Sequence, residues 1–141
     1  MKKLAIIGSG DLGKQIAHHS SSLNNIEIIG FFDDFIQKDT YVGKYKILGP
    51  IKLVGDLYEK SLFDYLIIGI GYKHILFRKK LYDKFINKIP FLSVIHPSSY
   101  IDKSAIIGNG VFIFPNCTID MNSIIEDNVV LYNNCNISHD S

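Results

Sequence analysis

Tryptophan is missing from the 141 residues, cysteine and methionine occur twice each, and proline occurs four times. Two cysteines, Cys117 and Cys135, are too few for a disulfide framework of the kind that staples small secreted domains, and they read as reduced core thiols. Neither sign of charge dominates: fifteen Lys and Arg face fourteen Asp and Glu, for a net charge of +1. Such a balance supplies no field to gather a phosphate backbone or an anionic lipid, so small solutes are the expected ligands, with no nucleic-acid or membrane partner. Long apolar runs are absent as well. Runs such as 66–70 fall far short of the roughly 20 residues of a bilayer span. Met1-Lys2-Lys3 leads into a glycine-broken strand pattern and not into a signal peptide, so a cytoplasmic protein is expected. No His/Cys cluster has zinc spacing, and no metal is expected.

What is present is the composition of an ordinary globular protein, 47% hydrophobic and 21% charged. The pattern changes near Pro90, dividing the chain into 1–90 and 91–141. In the first part, short apolar runs alternate with helix-like stretches. Leu4-Ala5-Ile6-Ile7 reads as a buried strand, followed by a Gly8-Ser9-Gly10 turn and an amphipathic helix over about 12–23. A second strand over 26–32 ends in Asp33-Asp34. A third, Tyr65-Leu66-Ile67-Ile68, runs into Gly69-Ile70-Gly71 and a helix over about 74–87. Apolar runs without alternation predict a parallel sheet covered on both faces. Between them, 41–53 reads as a short hairpin or irregular crossing, and 56–61 as one further helix.

From Phe91 the period becomes six. Ile95, Ile101, Ile107, Ile113, Ile119, Ile125, Leu131 and Ile137 form an unbroken aliphatic series. Four residues after each stands Ser99, Ala105, Val111, Cys117, Ser123, Val129, Cys135 or Ser141, all small or β-branched. Helices repeat at 3.6 and strands at 2, so this double register predicts a parallel β-helix of hexapeptides. Three six-residue faces close a triangular coil of about 18 residues, with one inward aliphatic per face and small residues at tight corners. Cys117 and Cys135 then stack in successive coils about 4.8 Å apart, where a disulfide is sterically conceivable. A stacked solenoid wants about three repeats and a cap, whereas 101–141 makes little more than two coils. The β-helix is therefore expected to be truncated.

Gly8-Ser9-Gly10-Asp11-Leu12-Gly13 fits G-x-G-x-x-G between a predicted strand and a predicted helix, with Asp33 and Asp34 about 20 residues on. Glycines there allow a tight turn and close backbone approach, so amides at the helix start can face a phosphate. An acid ending the second strand can take ribose hydroxyls or a base edge. The bland reading is turn glycines and a strand-end acidic pair.

Together these features resemble the sialic acid O-acetyltransferase and UDP-4-amino-sugar N-acetyltransferase family. The likeness spans the whole chain and rests on the Gly-rich turn, the Asp33-Asp34 pair, Gly69-Ile70-Gly71, the junction Val94-Ile95-His96-Pro97-Ser98-Ser99, and the terminal Asn136-Ile137-Ser138-His139-Asp140. It implies a Rossmann-like α/β domain followed by a left-handed parallel β-helix, acetyl-CoA as acyl donor, and a homotrimer with active sites between neighbouring β-helices. It also implies roles: His139 as general base, Asp140 orienting it, and Gly8, Gly10, Asp11, Gly13, Asp33, Asp34, Gly69, Gly71 and Tyr72 forming a nucleotide-sugar pocket. Two positions depart from the family pattern. Asp11 stands where many relatives carry histidine, and Tyr132 where relatives often place asparagine near the acceptor amine.

The other histidines carry structural expectations. His18 and His19 belong to the first helix, His74 to the turn before the second, and His96 to the junction. Lys79 and Lys80 read as a solvated helix face. Two other readings remain open: a nicotinamide-nucleotide module whose β-helix only oligomerises, and a non-catalytic assembly fragment. Hexapeptides in place of a second sheet half weigh against redox chemistry.

Overall fold

A run of aliphatics with no polar alternation needs cover on both faces, and residues 4–7 receive it. The computed structural model describes residues 1–141 and places Leu4, Ala5, Ile6 and Ile7, all fully buried, in strand β1 (Lys2–Ile7). β1 lies between β2 (Ile26–Phe32) and β5 (Tyr65–Ile68), parallel to both. β4 (Tyr45–Gly49) adds in parallel beyond β2, and β3 (Tyr41–Val42) pairs antiparallel with β4 at the edge. The order is β3-β4-β2-β1-β5. The chain thus builds outward from β1 on one side and then crosses to the other. That reversal creates a switch point at the carboxyl ends of β1 and β5, where open α/β sheets bind ligands.

Helix α1 (Asp11–Ser21) joins β1 to β2 and buries Leu12, Ile16 and Ala17 along one stripe. Helix α2 (Val54–Glu59) follows a short 3-10 turn, and α3 (Ile75–Phe85) follows β5. Leu81, Tyr82 and Phe85 of α3 join Ala5, Ile7, Phe32, Phe63 and Leu66 in one apolar cluster. The crossing predicted over 41–53 is the β3–β4 hairpin plus the 3-10 turn. No helix of the protein is long and apolar enough to cross a membrane.

The first compact unit is Met1–Phe91 and the second is Leu92–Ser141. The second consists of two-residue strands repeating every six residues: β6 (Val94–Ile95), β7 (Tyr100–Ile101), β8 (Ile106–Ile107), β9 (Phe112–Ile113), β10 (Thr118–Ile119), β11 (Ile124–Ile125), β12 (Val130–Leu131) and β13 (Asn136–Ile137). Partners are parallel and offset by eighteen residues, as in Thr118 with Tyr100 and Asn136, or Ile124 with Ile106. Three sheets result, β13-β10-β7, β11-β8 and β12-β9-β6. They are the three faces of a parallel β-helix, wound at the predicted period.

The interior holds both registers, with Ile113, Ile119 and Ile125 beside Val111 and Cys117. The expectation that the second register marks the corners is therefore corrected. Its residues from Ala105 to Cys135 line the core, and the left-handed corners stand one residue earlier in the register, at Gly110, Asn116, Asn122, Asn128, Asn134 and Asp140, all with φ between 58° and 69°. Asparagine, aspartate and glycine tolerate this left-handed conformation best. Cys117 and Cys135 are free thiols, one buried and one half-buried, and Cys117 Sγ donates to the Tyr132 carbonyl at 3.1 Å.

Candidate functional site

The glycine turn sits at the switch point. Gly8 takes φ +101°, open to glycine and costly to other residues. A methyl group on Gly13 would strike the Gly8 carbonyl oxygen, and one on Gly69 would lie 2.7 Å from Gly13 Cα. The turn after β1, the first turn of α1 and the end of β5 therefore touch through three glycines. Gly10 and Gly71 differ. A side chain at either would meet open space, so they border the site without being packed in it. Gly10 precedes α1 without a side-chain cap, and the first helical bond is Lys14 N–H to Gly10 O at 2.9 Å. The amides before Lys14 form the open first turn that binds anions in such folds. Asp11 is exposed there, and Tyr72 is exposed just past Gly71.

The acidic pair divides its work. Asp33 Oδ2 accepts from the Ser9 amide at 3.2 Å and the Ser9 hydroxyl at 2.6 Å, while Oδ1 accepts from the Phe35 amide at 2.9 Å. Asp33 therefore latches the glycine turn to the end of β2. Asp34 spends Oδ1 on the Ile51 amide at 2.8 Å and is exposed. Ser9, inside the motif and 3% accessible, is the contact that sequence reasoning left without a role. Arg78 is another such residue. It is buried on α3, and its Nη1 donates to the carbonyls of Ile68 at 3.1 Å and Ile70 at 2.6 Å, holding the strand end and turn that carry Gly69. A depression of about 640 Å³ beside Met1, Lys2, Asp64 and Tyr65 lies at the opposite strand ends and contains none of the site residues.

In the second unit, His139 and Asp140 form the corner after β13. Asp140 takes the left-handed conformation (φ 58°), and its amide donates to Met121 O at 2.9 Å, fastening the corner to the preceding coil. His139 Nδ1 and Asp140 Oδ2 are 2.8 Å apart, with both side chains more than half exposed. The hydrogen bond to Asp140, and then its charge, raise the His139 pKa above the ordinary histidine value, with Asp120 adding to the effect. Hydrogen bonds from His139 and from the Asn122 side chain hold Asp140 below the usual carboxylate range. Asn122 lies eighteen residues before Asp140, one full coil, and the repeat register alone points to it. With Nδ1–H donated to Asp140, the neutral ring presents its lone pair at Nε2. Such a pair can accept a proton from an attacking nucleophile.

On the outer side of the β-helix, Ile106 and Ile124 are paired neighbours, 62% and 57% exposed. Tyr132 stacks on Phe114, with centroids 5.2 Å apart and planes at 23°.

Several known proteins resemble this chain. The UDP-N-acetylbacillosamine N-acetyltransferase of Bacillus subtilis (strain 168) is 34% identical over 115 residues, which cover 80% of this chain and 51% of that protein. The acetyltransferase domain of PglB from Neisseria gonorrhoeae FA1090, solved in complex with acetyl coenzyme A, superposes with a TM-score of 0.86 at 26% identity, over 99% of this chain and 65% of that one. PerB from Caulobacter crescentus, solved with CoA and GDP-perosamine, gives 0.87 at 23% identity, over 99% of this chain and 64% of that one. At that identity the likeness is one of fold. The chain spans about half the length of the curated relative and somewhat under two-thirds of the solved ones. Residues 3–85, from β1 to the end of α3 and including the whole glycine turn, match the PglD N-terminal domain, and the chain belongs to that family.

Proposed function

We propose that the protein is an acetyl-CoA-dependent acetyltransferase acting on the amino group of a nucleotide-activated amino sugar, in the synthesis of surface glycans. The observation that carries this reading is the exposed His139–Asp140 pair on a β-helix corner, in a chain that also holds an uncapped glycine turn at a sheet switch point. The activity of the Bacillus subtilis relative and the acetyl coenzyme A in the PglB complex support it. They also favour nitrogen over the hydroxyl of a sialic acid as the acceptor.

In the first unit, the open amides of α1 take the diphosphate, and Asp34 meets the ribose or base edge. Asp11 must turn its carboxylate away from the phosphates, since like charges repel at that distance. In the second unit, neutral His139 acts as general base. The amine nitrogen bonds to the thioester carbonyl carbon, the carbon–sulfur bond breaks, and the proton lost by nitrogen passes through His139 Nε2 to the departing thiolate. Asp140 holds Nδ1–H and stabilises the imidazolium while it lasts. We infer further that the β-helix winds left-handed and that the protein works as a homotrimer, its exposed Ile106 and Ile124 facing a neighbouring copy. The free thiols of Cys117 and Cys135 agree with a cytoplasmic setting.

Calorimetry with uridine diphosphate, guanosine diphosphate, cytidine monophosphate and NAD tests the nucleotide half of this reading. A nucleoside diphosphate is expected to bind most tightly. Preference for NAD would replace the reading with a redox module.

A further inference from the structure

Phe35 is the most exposed large apolar side chain of the protein, at 97% accessibility, and it contributes to no core cluster. Its backbone is nevertheless fixed. The Phe35 amide donates to Asp33 Oδ1, and Asp33 Oδ2 accepts both the amide and the hydroxyl of Ser9. One carboxylate thus ties an aromatic residue and the glycine turn to a common anchor at the carboxyl ends of the neighbouring strands β1 and β2. A mobile exposed ring would say little. The backbone that carries this ring is held in register with the turn, and the ring projects into solvent where the sheet binds ligands.

We propose that Phe35 is the stacking platform for the nucleobase of a bound nucleoside diphosphate. The inference rests on the nucleotide reading of the glycine turn and specifies it. With phosphates on the α1 amides and ribose above the end of β2, the base continues outward past the acidic pair, and Phe35 is the residue that follows that pair. Every base has a flat π-face, and aromatic stacking is insensitive to its identity. The ring therefore supplies affinity, and discrimination among bases falls to hydrogen bonding at their edges.

The test compares the full chain with Phe35→Ala, Phe35→Leu and Phe35→Trp by calorimetry, using uridine diphosphate, guanosine diphosphate and inorganic pyrophosphate as probes. Because Phe35 buries so little, the three variants are expected to melt with wild type. Loss of base stacking corresponds to a weakening of about 5- to 150-fold. Phe35→Ala is expected to lose affinity in that range for both nucleotides and none for pyrophosphate, with Phe35→Trp restoring it and Phe35→Leu not. Unchanged nucleotide affinity in Phe35→Ala overturns the platform and leaves the nucleotide site standing. An equal loss for pyrophosphate also overturns it, by showing that Phe35 shapes the turn. A wild-type chain that binds none of the three probes overturns the nucleotide reading and the platform together.

Discussion

Asp140 carries two constraints on one residue: its backbone turns a β-helix corner and its carboxylate grips the only imidazole on that corner. The grip sets a pH dependence. A general base must be neutral, and the Asp140 hydrogen bond keeps His139 protonated to a higher pH than an ordinary histidine. Activity, read as kcat/KM for the acceptor, should rise with pH through that elevated value and be lost below it. In Asp140→Asn the anion is gone, so the acidic limb should move to lower pH while the plateau falls; a limb that stays put would separate Asp140 from His139. The pair is exposed, and high salt should narrow the difference between the two profiles. Which residues belong to the site was only partly legible at this scale. His139 and Asp140 are adjacent in sequence and could be read as a pair. The Asp33 carboxylate looked like a ligand group, yet it is committed to Ser9, twenty-four residues away, and sequence offers no sign of such a latch. Arg78 sits among lysines that do face solvent, and only the seating of α3 against β5 turns its guanidinium onto the Ile68 and Ile70 carbonyls.

Among the elements, β1, β2 and β5 could be read within a residue or two, because fully buried parallel strands are continuous aliphatic runs and glycines end them abruptly. The β-helix could be read from its period alone, although each strand is only two residues long. Its corners were misassigned for a physical reason. Small residues suit both a crowded core and a tight turn, and only the backbone reveals that the left-handed positions are the asparagines one residue earlier. The outer faces follow from the same period. Ile107 belongs to the inward series and Ile106 does not, and because neighbouring side chains in a strand point to opposite sides, Ile106 lies outside with Ile124 paired beside it. An exposed aliphatic stripe on β8 and β11 fits a contact between copies better than contact with water. Sedimentation of the wild-type chain should give three times the 15.9 kDa chain mass. The double substitution Ile106→Glu, Ile124→Glu should give single chains with an unchanged circular dichroism spectrum. A wild-type monomer would refute the trimer.

For the molecule as a whole, the proposed reaction draws on two architectures with different periods: a parallel sheet whose switch point suits a diphosphate, and a solenoid whose corner presents a histidine. Either alone is compatible with many activities. Their joint presence, in a chain whose relatives include a sugar N-acetyltransferase, supports the proposed acyl transfer onto a nucleotide-borne amine. The claim is most exposed at His139. The decisive measurement is turnover of acetyl-CoA with a UDP-4-amino-sugar by the intact enzyme and its His139→Ala variant, followed by thiol release, with uridine diphosphate affinity measured on both. Removal of a general base costs about 10²–10⁴ in rate. The account predicts at least a hundredfold loss of turnover with nucleotide affinity unchanged, and a variant turning over at close to the wild-type rate would contradict it.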